Sequence, residues 1–231
     1  MKSYDAIFFD LDHTLWDYET NSKLTLEELH SEFGLYTTFG ITTDQFLRTF
    51  NKVNHTLWDK YNRGEIDRDD IRTQRFQQIL SRYYVEDDAL TQSLSIEYIR
   101  QCPTKTSLFP YALDILHYLQ EKYPLYILTN GFDDVQDVKL SASSLKSFFR
   151  DVITSETTGH RKPSREIFHH AVECAQVEPA RCLMIGDNLQ ADIAGALNAG
   201  LHAAFFNPNN ARHSLTPQFE ITCLSEVRNI L

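Results

Sequence analysis

The sequence predicts an open α/β sheet of parallel strands covered by helices on both faces, interrupted by one all-helical insertion. Three observations predict it. Short apolar runs recur along the chain and end in polar clusters, as fully buried strands do. Helical spacing fills the intervals between those runs from about Thr106 onward. Between the first run and the second, from Asn21 to about Cys102, the apolar residues keep helical spacing only. The 231 residues suit one large domain, or one domain carrying a smaller inserted one.

The elements follow in order. Ala6-Ile7-Phe8-Phe9 reads as a buried strand opening onto Asp10. Leu26, Leu29 and Phe33 share one helical face, and Gly34 can cap the end. Phe46, Phe50, Val53, Leu57 and Tyr61 form a second stripe between Thr43-Asp44 and Gly64. A third helix is expected from about Asp67 to Tyr83, burying Ile71, Ile79 and Leu80. A fourth should start near Asp87-Asp88 and stop at Pro103, which cannot continue it. Pro110 suits the first turn of a helix through Tyr123. Leu125-Tyr126-Ile127-Leu128 is the next strand, ending at Thr129-Asn130-Gly131, with a helix through Phe148 and a strand near Val152-Ile153. Ser164 can cap a helix to about Gln176. Cys182-Leu183-Met184-Ile185 ends at Gly186-Asp187, and a helix to Gly200 leads into Ala203-Ala204-Phe205-Phe206. Phe219-Glu220-Ile221-Thr222 and a short last helix complete the chain. The expected domains are a Rossmann-like core of residues 1–16 and 106–231 and a helical cap of residues 17–105. Both joints fall near strand ends, where open α/β sheets bind ligands.

Composition narrows the function. The formal net charge of −10 is the wrong sign for neutralising nucleic-acid phosphates. It also repels small phosphates, so any phosphate site must be built locally from a cation, a metal or aligned N–H groups. No stretch approaches the ~20 apolar residues of a membrane span. The chain reaches Asp5 and Asp10 with no apolar signal region, so a cytoplasmic protein without membrane contact is expected. Cys102, Cys174, Cys182 and Cys223 form no CxxC pair and read as free buried thiols. The histidines form no HxH or HExxH pattern, which argues against zinc.

Four constellations carry chemistry. Asp10-Leu11-Asp12-His13-Thr14 sets two carboxylates at i and i+2 at the end of a strand. Close carboxylates repel, so they share a cation or divide into acid and base roles. A DxD alone suits a solvated loop equally well. Thr129-Asn130-Gly131 offers a hydroxyl and backbone N–H groups to phosphate oxygens, although strands also end this way for turn reasons. Lys162-Pro163 places an ammonium before a helix, where a lone lysine is ordinarily just solvated. Gly186-Asp187 is followed by Asp192 early in the next helix, where an acid also suits the helix dipole.

No single constellation decides the matter; their order does. Phe9-Asp10-Leu11-Asp12-His13-Thr14-Leu15, Leu128-Thr129-Asn130-Gly131, Lys162-Pro163 and Ile185-Gly186-Asp187-Asn188-Leu189-Gln190-Ala191-Asp192 together resemble the haloacid dehalogenase superfamily of phosphatases over essentially the whole chain. The resemblance implies that Asp10 is the nucleophile that takes the phosphoryl group. It makes Asp12 the acid to the leaving alcohol and then the base for water. Thr129 and Asn130 would hold phosphate oxygens, and Lys162 would balance charge on Asp10 and the transferred group. It implies Mg²⁺, with Mn²⁺ as an acceptable substitute, on the Asp10 carboxylate, the Asp12 backbone carbonyl and the Asp187 carboxylate. Asp192 would support the metal indirectly. His13 falls at a variable position of the family and is read as incidental.

Asp12 separates the chain from the dehalogenase branch, because an alkoxide leaving group needs a proton and a halide does not. Trp16-Asp17-Tyr18, Thr129-Asn130-Gly131-Phe132 with Val135-Gln136 and Lys139-Leu140, and Ile153-Thr154-Ser155-Glu156 are similar to the YjjG-type pyrimidine 5′-nucleotidases. Thr157-Thr158-Gly159-His160-Arg161 departs from the smaller, more apolar residues that usually lead into the lysine. That likeness implies a small phosphorylated metabolite as the partner, a pyrimidine nucleoside monophosphate of the UMP, dUMP or dTMP class. Trp16, Trp58 and Tyr61 could stack on a base, against the plainer reading that they pack the core. The competing enzyme reading is a phosphatase for sugar phosphates or phosphoglycolate. A phosphoacceptor signalling domain would need its phosphorylated Asp on a later strand and no helical insert. A catalytically idle binding module is at odds with four intact motifs. Oligomeric state is not legible from the sequence.

Overall fold

The computed structural model describes residues 4–231. They divide into two compact units, one made of the residues up to Tyr18 together with Thr106–Leu231 and the other of Glu19–Lys105. Six strands belong to the first: β1 Ala6–Phe9, β2 Leu125–Thr129, β3 Asp151–Thr154, β4 Cys182–Gly186, β5 His202–Phe206 and β6 Phe219–Ile221. They form one sheet in the order β3-β2-β1-β4-β5-β6, with every neighbouring pair parallel. The order reverses between β1 and β4, which makes the ends of those strands the switch point of the sheet. All residues of β1, β2 and β4 are buried, as their unbroken apolar runs require of strands covered on both faces.

The helical unit contains α1 Tyr18–Glu32, α2 Leu35–Phe39, α3 Thr43–Asn62, α4 Arg68–Ser81 and α5 Asp88–Gln101. Side chains start three of these helices, α3 one residue earlier than the Thr43-Asp44 expected from the sequence. Thr42 with Gln45, and Asp67 with Asp70, close reciprocal capping boxes, and Asp87 accepts from the Leu90 N–H. Phe46, Phe50, Val53, Leu57 and Tyr61 are all buried, as their spacing predicts. Phe50 meets Phe76 and Tyr98 with ring centroids 5.9 and 5.0 Å apart, and the Arg75 guanidinium lies 5.1 Å from the Tyr98 ring centre. Short α2 was not foreseen. Gly34 and Gly40, both at positive φ, bracket it, so Gly34 starts a new helix as well as closing the old one.

The sheet is flanked by α6 Ala112–Gln120, α7 Asp133–Ala142, α8 Ser155–Thr158, α9 Arg165–Ala175 and α10 Gly195–Asn198. The helix expected from Pro110 to Tyr123 is shorter, because Tyr111 takes a left-handed conformation (φ 67°). The helix expected to reach Phe148 stops at Ala142; Ser144 turns left-handed (φ 57°) and a separate turn Lys146–Phe148 follows. Ser164 stands at the N-cap of α9, but its hydroxyl makes no capping bond. Cys102 and Cys182 are buried, Cys223 is half-buried and Cys174 is exposed, so the thiols are free but not all buried. Among the described residues, no helix is long and apolar enough to cross a membrane.

Candidate active site

Strand register assembles the site. Phe9 sits opposite Ile127 on one side and Ile185 on the other. The residues that follow β1, β2 and β4 therefore leave the sheet along one edge. The Asp10 N–H still donates to the Ile185 carbonyl at 2.9 Å, which fixes Asp10 at the strand end. The chain then turns tightly: His13 is left-handed (φ 64°), and the N–H groups of Leu15 and Trp16 both donate to the Leu11 carbonyl. The turn aims the Thr14 hydroxyl at Asp187 Oδ1, 3.2 Å away.

Lys162 is the centre of the cluster, with its side chain 2% exposed. Its Nζ donates to Asp10 Oδ1 at 2.6 Å, Asp192 Oδ1 at 2.6 Å and the Leu128 carbonyl at 2.7 Å. Those three acceptors use all three ammonium hydrogens. The Lys162 backbone is clamped in turn by Asn130, whose side-chain N–H donates to the Lys162 carbonyl at 2.9 Å and whose Oδ1 accepts from the Lys162 N–H at 2.8 Å. The Asn130 amide thereby couples the turn after β2 to the lysine.

Asp192 lies on the wide turn Leu189–Ala194 ahead of α10, where the Ile193 N–H reaches back five residues to the Asn188 carbonyl. The second oxygen of Asp192 accepts from the Asn188 N–H at 2.9 Å. Gly186 makes room for it: a Cβ there would lie 2.3 Å from Asp192 Oδ2.

Oxygens of Asp10, Asp187 and Asp192 all lie within 4.8 Å of one another. Burial, joined by the Asp192 and Asp187 carboxylates, raises the Asp10 carboxyl well above its ordinary value, with Lys162 opposing. Burial and then Asp192 push the Asp187 carboxyl up to about 7, again against Lys162. Burial would lower the Lys162 ammonium, but the Asp10 and Asp192 carboxylates outweigh it and hold the lysine charged. Three ionised carboxylates facing one ammonium leave two negative charges uncompensated in a buried site. A divalent cation fits that deficit, and the all-oxygen donors suit Mg²⁺. Asp192 has both oxygens engaged, which favours Asp10 and Asp187 as the carboxylates that turn to a metal.

Asp12 faces elsewhere. Its two oxygens accept from Lys139 Nζ at 2.6 and 2.8 Å, and Oδ2 also accepts from Gln136 Nε2 at 3.0 Å. Burial alone would raise its carboxyl; Lys139 and then Gln136 outweigh it and hold Asp12 below the usual carboxylate value. Gln136 also donates to the Thr129 hydroxyl at 2.9 Å, so Asp12 and Thr129 share one amide. Gly131 admits that amide, since a Cβ at this position would lie 2.1 Å from Gln136 Nε2.

All seven site residues expected from the sequence thus lie along this edge, with Asp10, Lys162, Asp187 and Asp192 in one cluster, Asn130 bonded to Lys162, and Asp12 and Thr129 joined through Gln136. Sequence reasoning assigned no role to Thr14, Gln136 or Lys139. The available signal was two polar residues one turn apart on the helix after Thr129-Asn130-Gly131. Trp16 is fully buried and Tyr61 nearly so, with Trp58 edge-on to Tyr61 at 5.4 Å, so packing explains Trp16 and Tyr61.

A family model described as haloacid dehalogenase-like hydrolase matches residues 4–200. YfnB of Bacillus subtilis (strain 168) is 33% identical, covering 100% of this chain and 97% of its own. Its crystal structure bound to magnesium superposes with a TM-score of 0.89, covering 99% of each chain. The pyrimidine 5′-nucleotidase YjjG of Escherichia coli (strain K12) is 29% identical, covering 99% of this chain and 98% of its own. The pyrimidine 5′-nucleotidase PynA of Streptococcus pneumoniae (strain ATCC BAA-255 / R6) is 28% identical, covering 99% and 95%.

Proposed function

The chain belongs to the haloacid dehalogenase-like hydrolase family and is a phosphoric monoester hydrolase, and we propose that it removes the 5′-phosphate from pyrimidine nucleoside monophosphates through a phosphoryl group carried on Asp10. The observation that carries the chemistry is the convergence of Asp10, Lys162, Asp187 and Asp192 at one strand edge beside Thr129. Asp10 attacks phosphorus while Lys162 keeps it oriented and offsets charge on the transferred group. Asp12 gives a proton to the leaving oxygen, then takes one from the attacking water. Thr129 and Asn130 hold phosphate oxygens, and the Asn130 amide also locks Lys162. Asp10, Asp187 and the Asp12 backbone carbonyl, with Asp192 in support, would hold magnesium, which would supply positive charge against the phosphoryl oxygens. Mn²⁺ satisfies the same oxygen donors.

The phosphate machinery cannot choose a base, because it touches only phosphate and metal. The support for pyrimidines is the similarity to YjjG and PynA, which extends over nearly the whole chain. Rejecting a purine by size is an easier discrimination than separating two pyrimidines, so weak selectivity among uridine and thymidine nucleotides, ribo or deoxy, is expected. The test is kcat/KM with Mg²⁺ across the common 5′-monophosphates, phosphoglycolate and several hexose phosphates, with Asp10→Asn as the inactive control. A clear lead for a purine nucleotide or a sugar phosphate overturns the pyrimidine reading and leaves the phosphatase intact. Near-normal turnover by Asp10→Asn, with reversion to Asp excluded, overturns Asp10 as the nucleophile.

A further inference from the structure

Lys139 is a buried cation outside the phosphate cluster, and the family likeness gives it no duty. It sits on α7, one turn after Gln136, with its side chain 6% exposed. Among the described residues, Asp12 is the one carboxylate within ion-pair distance of it. Both Asp12 oxygens take its hydrogens, at 2.6 and 2.8 Å. On its other side the ammonium lies 4.6 Å from the Trp16 ring centre, and Trp16 is fully buried. A buried ammonium is costly, and packing alone would be served better by Met or Leu. The aromatic face holds the ammonium by its ring electrons without competing for its hydrogens. Gln136 adds a second donor on the same Asp12 oxygen and ties it to Thr129.

We propose that Lys139 is the positioning residue for Asp12, holding its carboxyl in line for the leaving group and stabilising the carboxylate that proton donation leaves behind. The proposal rests on the reading of Asp12 as the proton donor. As Asp10 forms its bond to phosphorus, the ester P–O bond breaks and its electron pair moves to the leaving oxygen. Asp12 rests as a carboxylate against Lys139, takes up one proton from solvent as the ester binds, and passes that proton to the leaving oxygen. Water then attacks phosphorus, its proton returns to Asp12, and the bond from Asp10 to phosphorus breaks. The charge of Lys139 is matched by the carboxylate that proton transfer restores, so the contact orients Asp12 and stabilises the product of that transfer. Gln136 shares the orienting duty but carries no charge.

A positioning role through Asp12 makes a specific demand on leaving groups. An acidic phenol needs no proton as it departs, whereas an alkyl alcohol does. Lys139→Met keeps the stem volume and removes the charge. Against the wild type it should lose about 10–100-fold in kcat/KM on an alkyl monophosphate such as uridine 5′-monophosphate, and no more than about threefold on p-nitrophenyl phosphate, because kcat/KM reports transfer to Asp10 and not the hydrolysis that both esters share. Added to Asp12→Asn, it should cost little more on either ester, because the two side chains act as one unit. Equal losses on both esters, or losses that multiply with those of Asp12→Asn, would overturn the proposal. Should Lys139→Met fail to fold, Lys139→Gln carries the same comparison, and failure of both to fold overturns the proposal by making the ammonium purely structural. The Asp12→Asn variant separates the two readings. If it shows no alkyl-over-aryl loss, Asp12 is not the donor; if it does and Lys139→Met does not, only the role of Lys139 falls.

Discussion

At the scale of single residues, the site divides its carboxylates by their partners. Asp10 and Asp192 share one ammonium, Asp12 has another, and the Asp187 carboxylate, which accepts from the Thr14 hydroxyl, has no ammonium bonded to it among the described residues. Asp187 is thus the acid least neutralised by the protein and the one with most to gain from a cation. The proposed metal contact of Asp12 runs through its backbone carbonyl, which alanine keeps. Asp12→Ala should therefore lose roughly 10²–10⁴-fold in rate, as expected for a positioned acid–base group, with a much smaller loss of metal affinity than Asp187→Ala. Calorimetric Mg²⁺ titration of both variants checks the division; equal losses of affinity would refute it. The same residues show what a sequence can disclose. Asp10, Asp187 and Lys162 were legible because each follows or precedes an element visible in the apolar pattern. The partner of Asp12 was not, because Lys139 is 127 residues away and only the packing of α7 brings it there.

At the scale of elements, the site is built from strand ends and from the turns that follow them. Parallel register from β2 through β1 to β4 sets the turns side by side, and the wide turn after β4 swings Asp192 back toward the sheet. These strands could be read from unbroken apolar runs. The short α2 and the early stop of α7 could not, because left-handed residues such as Ser144 are decided by packing rather than by propensity. Gly186 joins the strand to the turn at a place where the sequence shows only a common turn residue. Gly186→Ala puts a methyl group 2.3 Å from an Asp192 oxygen, and Asp192 cannot yield without breaking its bond to Lys162 or to the Asn188 N–H. The substitution should destabilise the protein by about 1–3 kcal/mol, as overpacking generally does, and lower kcat as Lys162 loses its brace. Thermal melts and steady-state rates check both effects together. An alanine variant with wild-type melting and turnover would show that the turn relaxes freely.

At the scale of the whole molecule, the charge of the site couples metal to stability. Burial and the neighbouring Asp192 carboxylate hold the Asp187 carboxyl at about 7 in the metal-free protein, far above the value of about 3.9 for an unfolded aspartate. Between those two values the folded chain keeps a proton that the unfolded chain has released. The folded state binds more protons there, so its stability falls as pH rises through that window. Below the window both states are protonated. Above it both are ionised and the full cost of the buried carboxylate is present. Asp10 is shifted in the same direction and adds to the slope. Asp187→Asn removes the titration at its own position. In a chelator, the stability of the wild type relative to Asp187→Asn should therefore decline from about pH 4 to about pH 7 and then level off. Mg²⁺ selects the ionised form, so it should raise the wild-type melting temperature more at pH 8 than at pH 5, and that of Asp187→Asn little at either. Melts of both proteins over this range, with chelator and with Mg²⁺, measure the whole effect. A wild-type-minus-variant difference that is flat with pH would show that Asp187 carries no such burden. A magnesium shift of equal size in both proteins would place the cation away from Asp187.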